Sequence, residues 1–343
     1  MLLTCAGRRN YLIHYFREAL AGRGHVFAAD VDGDAAALQE ADQSFAVPPV
    51  AAPQYVDTLV AICQRHNVRL LLSLFDQELP ILARERSRFD DIGTVAVISS
   101  PRVVSLCADK WATVDFLGQC GMAVPATFLS LAEARRALRA GEAQFPLVIK
   151  PRWGAASIGI SYAEDEDELE SAYHLLGRHL PRTSLAQACA ADPDRCVLVQ
   201  ERVEGQEHGI DVINDLSGGY VTTLARRKLA MRAGETDHVM TVESGELQTV
   251  GRTIGQQLGH VAPLDCDVFV AEKGCVVLEM NPRFGGGYPF SHVAGANIPA
   301  CLIAWASDEQ PDLGWLSVRP NVTASKCERL VVTRGDIEKL VPL

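Results

Sequence analysis

Toward the C-terminal third of the chain an apolar run, Val276-Val277-Leu278, continues as Glu279-Met280-Asn281-Pro282-Arg283-Phe284, then Gly285-Gly286-Gly287-Tyr288-Pro289. Side chains at every second position of an extended segment share a face, so Glu279, Asn281 and Arg283 are expected to project together. A carboxylate and an amide are hard oxygen donors of the kind Mg2+ takes from proteins, and an arginine beside them suits a phosphate. The pattern also describes a strand end with a solvated polar edge. The preceding run decides between the two. Cys266 to Ala271 and Cys275 to Leu278 are apolar stretches joined by Glu272-Lys273-Gly274, the layout of an antiparallel hairpin. A turn centred on Lys273 sets Asp267 opposite Glu279 and Asp265 opposite Asn281. Facing carboxylates repel at such short range, which argues for a cation between them.

Other elements must position this hairpin. In the first hundred residues, Leu2 to Cys5, Val26 to Ala29, Leu70 to Leu74 and Val95 to Ile98 read as strands. Tyr11 to Ala21 and Tyr55 to His66 carry apolar residues at helical spacing. Alternating strands and helices imply a doubly wound parallel sheet. Ala6-Gly7-Arg8-Arg9 after the first strand and Asp30 after the second invite a nicotinamide cofactor, but G-x-G-x-x-G is missing. Ligands of such sheets gather at the carboxyl ends of strands, so Asp76 and Glu78 are candidates for a substrate ammonium, and Arg8 or Arg9 for an anionic group. Further on, Phe145 to Lys150 reads as a buried strand ending in lysine, and Trp153-Gly154-Ala155-Ala156-Ser157-Ile158-Gly159 as a small-residue loop whose amides could wrap phosphates. Glu164 to Glu170 reads as the acidic start of a helix, and Pro181 to Arg195 as an irregular connection. Cys196 to Gly205 reads as a buried strand leading to a turn, and His208 to Asn214 with Tyr220 to Leu229 as a second hairpin. Thr249 to Gly259 is helical. On the second hairpin, alternation sends Arg226 and Lys228 to one face, toward a phosphate or a substrate carboxylate or else toward solvent, and Arg227 to the other.

At 343 residues the chain is long enough for two or three domains. A net charge of −11 leaves no basic surplus for general nucleic-acid binding. No run of about 20 apolar residues is present, so no membrane span is expected. The N-terminal residues lead into a strand and lack a signal-peptide layout. The ten cysteines form no C-x-x-C pair and read as buried hydrophobes of a reducing, cytoplasmic compartment.

Four segments in order carry a family resemblance: Asp109-Lys110, Leu147-Val148-Ile149-Lys150-Pro151, Val199-Gln200-Glu201-Arg202-Val203-Glu204-Gly205, and Leu278-Glu279-Met280-Asn281-Pro282-Arg283. The chain resembles the ATP-grasp superfamily, and within it the carbamoyl-phosphate-synthase-like branch, from residue 1 to about 305. The resemblance implies an α/β chain: a doubly wound pre-ATP-grasp domain over 1–104, a two-lobed α+β ATP-grasp domain over 105–310 with its lid at about 125–202, and a C-terminal extension over 311–343. That extension, with Trp315 and Leu330-Val331-Val332, is expected to pack back on the core.

The resemblance further implies that Lys150 and Lys110 contact ATP phosphates, with Trp153, Gly154, Ser157 and Gly159 in the loop that covers them. Glu201 and the backbone of Val203 would meet the adenine edge, and Glu207 the ribose. Asp267, Glu279 and Asn281 would hold Mg2+, or Mn2+ in its place, and Arg283 would steady the transferring phosphoryl group. Arg226 would act in the same chemistry. Gly286 and Gly287, with His292 after them as a base or a simple contact, match the substrate-proximal loop, and Lys228 joins the substrate side. Two departures stand out: a loop poorer in glycine than is usual, and Asp267 where relatives carry a longer side chain. The implied activity is an ADP-forming carboxylate–amine ligation through an acyl phosphate, on small-molecule acid and amine substrates, by a stand-alone enzyme that could form a homodimer. Ligation to a thiol, another acyl-phosphate product, or a nucleotide-binding regulator without turnover are the alternatives.

Overall fold

The computed structural model describes residues 1–154, 159–272 and 274–333. Strands β1 (Leu2–Thr4), β2 (Phe27–Asp30), β3 (Gln43–Ala46), β4 (Leu70–Ser73) and β5 (Val95–Ala96) form a parallel sheet in the order β3-β2-β1-β4-β5. Four of these strands are the expected ones. The fifth, β3, escaped the reading because Gln43-Ser44-Phe45-Ala46 is an edge strand, mostly exposed, with no apolar run to betray it. Helices Asn10–Leu20 and Tyr55–Arg65 cover opposite faces of the sheet, burying Leu12, Ile13 and Phe16 on one side and Tyr55, Val56 and Leu59 on the other. The first of these cores also takes in Phe284, Tyr288, Ile298 and Leu302 from the far end of the chain. The parallel sheet and the glycine loop after Arg283 therefore share one apolar core.

A second, four-stranded antiparallel sheet is built from β6 (Thr127–Phe128), β7 (Leu147–Pro151), β8 (Ser161–Ala163) and β9 (Val197–Glu201), in the order β6-β9-β7-β8. The helix Glu166–His179 packs on it through Leu169 and Leu176. Asp165 caps this helix by accepting from the Glu168 amide, and three acids occupy its first turn, where they favour the helix dipole.

The third sheet carries the site. Its strands are β10 (Gln206–Asn214), β11 (Tyr220–Arg232), β12 (Glu235–Val242), β13 (Pro263–Ala271), β14 (Gly274–Asn281) and β15 (Thr323–Ser325), all antiparallel, in the order β14-β13-β10-β11-β12-β15. One face is apolar. There Ile210, Val212, Ala225, Leu264, Cys266, Val268, Val277 and Met280 meet helices Pro101–Ala108, Lys110–Gln119 and Gly245–Leu258. The last of these lies unusually close, because a Cβ on Gly255 would stand 2.5 Å from the Tyr220 ring and one on Gly251 would collide with Thr223. With the even-numbered residues of β10 buried against helices, period-2 alternation turns the odd-numbered ones to the other face.

All ten cysteines are free, and Cys266 lies on the apolar face. The C-terminal extension follows two courses. Trp315, Leu316 and Val318 pack against the first core, and β15 pairs with β12. Leu330 and Val332 do not pack: they are 98% and 46% exposed, which corrects the expectation for that segment. Among the described residues no helix is long and apolar enough to cross a membrane.

Candidate active site

The hairpin β13–β14 has the site register expected of it. Asp267 faces Glu279, and Asp265 faces Asn281. The route to that register differs from a turn centred on Lys273. Near the turn Ala271 pairs with Gly274 and Val268 with Val277, one residue out of step with such a centre. A β-bulge at Leu278 then inserts one residue into β14 and restores the pairing at Asp267. Without that bulge, Glu279 would rotate to the apolar face.

A cation does stand at these acids, and it belongs to the protein. Lys228 Nζ donates to Asp267 Oδ1 at 2.6 Å and to Glu207 Oε1 at 2.7 Å. Burial disfavours its charge, but Asp267 and Glu207 outweigh that and hold Lys228 protonated. Lys228 is thus an internal counter-ion, and like-charge repulsion alone does not call for a metal here. Glu279 and Asn281 are different: neither side chain has a hydrogen-bond partner among the described residues, and Glu279 lies near enough to raise the Asp267 carboxyl after burial has done so. Among the described residues no group of three or more carboxylates, thiols or imidazoles could hold a metal ion. Two carboxylates with one amide nevertheless make a hard-oxygen set that suits Mg2+.

Facing this strand end is a pair of lysines. Lys150, near the end of β7, is 5% exposed and donates to Gln200 Oε1 at 2.7 Å. Burial first, and then the neighbouring Lys110 charge, lower its titration to about 8, while Glu279 acts in the opposite sense. Lys110 opens the helix Lys110–Gln119 and donates to the Gly154 carbonyl. Gln200 hands its own amide to Thr127 Oγ1 at 2.8 Å. Its buried position on β9 offered no sign of this role.

The segment expected to cover the phosphates is tied down at its start. Arg152 forks onto Asp109 with bonds of 2.9 and 2.7 Å and reaches Asp192 at 3.1 Å, its guanidinium lying 4.6 Å from the Trp153 ring centre. Gly154 and Gly159 have φ of +112° and +71°, and a Cβ on either would press on Leu185 or Leu176 at 2.9 and 2.7 Å. Backbone conformation and packing both require glycine at these positions. Ser157 lies outside the described residues. At the other end of the cleft, the Glu201 amide donates to the Ala126 carbonyl at 2.8 Å, and its carboxylate accepts from the Ala126 amide at 3.3 Å. The Val203 backbone has no hydrogen-bond partner among the described residues.

Several candidates have other duties. Arg226 is 1% exposed and sits between Gly209 and Gly287, donating to Asp211 at 2.6 Å, Asp265 at 3.1 Å and Ser291 at 3.4 Å. The expectation of a catalytic or substrate-binding arginine is corrected: Arg226 is the buried hub that fixes Asp265 and the glycine loop. Asp211, which the sequence did not single out, is its main partner. A Cβ at Gly287 would collide with Arg226 and one at Gly285 with Asp265, so these glycines serve packing, while Gly286 remains open. Glu78 is fully buried and accepts from Thr4 at 2.8 Å, Ser73 at 2.6 Å and Tyr55 at 2.6 Å. It cannot receive a substrate ammonium. His292 stacks on Tyr15 at 3.6 Å and meets the Tyr288 hydroxyl at 3.1 Å, and burial lowers its titration. It ties the glycine loop to the first helix instead of standing free as a base.

Arg283 reaches across to the parallel sheet, donating to Asp76 Oδ2 at 2.8 Å and to Asp265 at 3.5 Å. Asp76 is therefore a partner of Arg283. Arg9 donates to the Phe284 carbonyl at 2.6 Å, whereas Arg8 is exposed with no hydrogen-bond partner among the described residues. Asp30 secures their loop by accepting from the Gly7 amide at 2.8 Å.

Residues 107–287, just over half of the chain, match the family described as ATP-grasp domain, and residues 1–98 match the PylC-like N-terminal domain. The chain is 28% identical over 195 residues to the uncharacterized protein y4rH of Sinorhizobium fredii, covering 54% of this chain and 38% of that one. It is 24% identical over 220 residues to the carbamoyl phosphate synthase large chain of Mycobacterium bovis, or 61% of this chain and 18% of that one. With the D-alanine–D-alanine ligase of a Marinomonas strain the identity is 29% over 119 residues, 35% of this chain and 33% of that one. The chain thus spans less than two fifths of each relative's length. Among solved structures, the biotin carboxylase domain dimer of Hydrogenobacter thermophilus 2-oxoglutarate carboxylase, crystallised with MgADP, ADP and bicarbonate, has a TM-score of 0.71 at 17% identity. The likeness covers 94% of this chain and 73% of that one, and is one of fold.

Proposed function

Because this chain belongs to the ATP-grasp family, we propose that it is an ADP-forming ligase that joins a small-molecule carboxylate to an amine. One observation carries the reading: Lys150 is near enough to both Lys110 and Glu279 for each charge to shift its titration. A pair of phosphate-seeking cations thereby meets an unpartnered carboxylate and amide in one cleft. The D-alanine–D-alanine ligase relative supports the reaction class.

Bound ATP with Mg2+ supplies the phosphoryl group that converts an unreactive carboxylate into an acyl phosphate, whose phosphate an amine then displaces. The chain's own residues bind and orient. Lys150 and Lys110 neutralise phosphate oxygens from a dry site where each charge counts for more than in water. Asp267, Glu279 and Asn281 are the oxygen donors for the metal. Glu201 and the Val203 backbone hold the adenine, and Glu207 the ribose once it parts from Lys228. Arg283, aimed by Asp76, steadies the developing charge on the transferred group. The loop from Trp153 to Gly159 excludes water from the acyl phosphate.

The test is product analysis. The protein is incubated with Mg2+, ATP and pools of amino acids and small acids, and ADP, AMP and phosphate are followed. ADP and phosphate are expected in step with a new amide. Release of AMP and pyrophosphate would overturn the acyl-phosphate route.

A further inference from the structure

Beyond Arg283, basic side chains gather near Gly286, against the trend of a chain of net charge −11. Lys326 follows β15 directly, with its amide bonded to the Asp237 carbonyl at 2.8 Å and its ammonium 3.1 Å from Glu235. A Cβ built on Gly286 would stand 3.7 Å from that ammonium with nothing nearer, so Lys326 overlooks the one open glycine of the loop. Arg9 reaches the start of the same loop through its 2.6 Å bond to the Phe284 carbonyl, and the exposed Arg8 is its chain neighbour. Glu235 is held below the usual carboxylate range first by its hydrogen bond to Lys326 and, against burial, by the charges of Lys326, Arg9 and Arg8.

The other acids of this region are engaged. Asp76 and Asp265 hold Arg283 and Arg226, and Asp237 and Glu328 pair with Arg232. Three cations thus share Glu235, whose side chain is 73% exposed. An exposed pair of this kind adds little net stability, so an incoming anion can replace Glu235 on Lys326. Tyr11 lies among these charges: burial raises its titration, and Arg9, Arg283, Glu235 and Asp265 all act on it. Its hydroxyl has no hydrogen-bond partner among the described residues.

We propose that the acid activated by this enzyme carries a second carboxylate, and that Lys326, with Arg8 and Arg9, forms the subsite that receives it while the reacting carboxylate lies toward Arg283. The substrate class is therefore a dicarboxylate or an acidic amino acid. The inference rests on the ligase reading for its orientation, whereas the subsite itself rests only on the cations and the open glycine.

The test separates the two. Glutarate, L-glutamate and, as a single-carboxylate control, propionate are titrated by calorimetry into the full-length protein, both free and saturated with Mg2+ and a non-hydrolysable ATP analogue. Glutarate or glutamate is expected to bind about tenfold or more tightly than propionate. Lys326→Ala should reduce that preference to within about twofold, Lys326→Arg should retain it, and Glu235→Gln should strengthen dicarboxylate binding severalfold by removing the competing acid. Equal affinity for all three probes, no binding of any, or an unchanged preference in both Lys326→Ala and Arg8→Ala would overturn the subsite. Failure to bind the ATP analogue would instead overturn the ligase reading, and the titrations of the free protein would still decide the subsite.

Discussion

Arg283 and Asp76 stand 207 residues apart in sequence and 2.8 Å apart in space. The pair fastens the end of β14 to the loop after β4, so the residue to which we assign the phosphoryl group is aimed by the neighbouring domain. Each partner keeps one buried polar atom, Arg283 Nε and Asp76 Oδ1, without a hydrogen bond. Buried groups left in that condition are costly and mark a place where a ligand or water completes the set.

The first prediction concerns this pair. Arg283→Lys should slow ADP release by about 100-fold or more, since a lysine cannot present the same fork to an oxyanion. Asp76→Asn should cost less, about tenfold, because it only loosens the aim of the guanidinium. The double variant should fall short of the product of the two, as expected for groups that act through one another. Rates that multiply cleanly would show that Asp76 and Arg283 work independently.

Glu279 should behave otherwise. Its side chain has no hydrogen-bond partner among the described residues, so Glu279→Gln ought to leave the thermal midpoint within a few degrees while abolishing Mg2+-dependent ADP release. Removing Mg2+ with a chelator should silence the unmodified protein in the same way. A variant with undiminished turnover would remove Glu279 from the metal set.

Arg226 presents the reverse case. It is fully buried between Asp211 and Asp265, and breaking such a network leaves the fully buried Asp211 without its counter-charge. Arg226→Ala should lower stability by about 3–5 kcal/mol, read from the urea midpoint at unchanged slope. Loss of turnover without loss of stability would return Arg226 to the catalytic machinery.

Lys150 makes nucleotide binding depend on pH. Its titration is lowered to about 8 by burial and by Lys110, so the ammonium is charged below that pH and neutral above it. Affinity for an ATP analogue should therefore be highest below pH 8 and decline as the pH rises through it. Lys150→Arg stays charged throughout and should flatten the profile between pH 7 and pH 9, at about the same ionic strength. A flat profile in the unmodified protein would contradict the assignment of Lys150 to phosphate.

Alternation along a strand is a local property, and it made much of this site legible in the sequence. The common face of Glu279, Asn281 and Arg283, and the separation of Arg226 and Lys228 from Arg227, follow from period two. The parallel sheet announced itself through four apolar strands, and β3 stayed hidden because an exposed edge has no need of apolar residues. What a polar side chain faces is another matter, since its partners come from distant parts of the chain. Glu78 looked like an open acid at a strand end and is sealed under Thr4, Tyr55 and Ser73. Arg226 looked like a hand held out to a substrate and is locked between two aspartates. Even the hairpin register depended on a bulge at Leu278 that spacing could not disclose. The sequence by itself determined the chemical types gathered on each strand face. Only the tertiary structure decided which of those charges are neutralised inside the protein and which remain for a ligand, because burial and pairing are set by elements that meet across hundreds of residues.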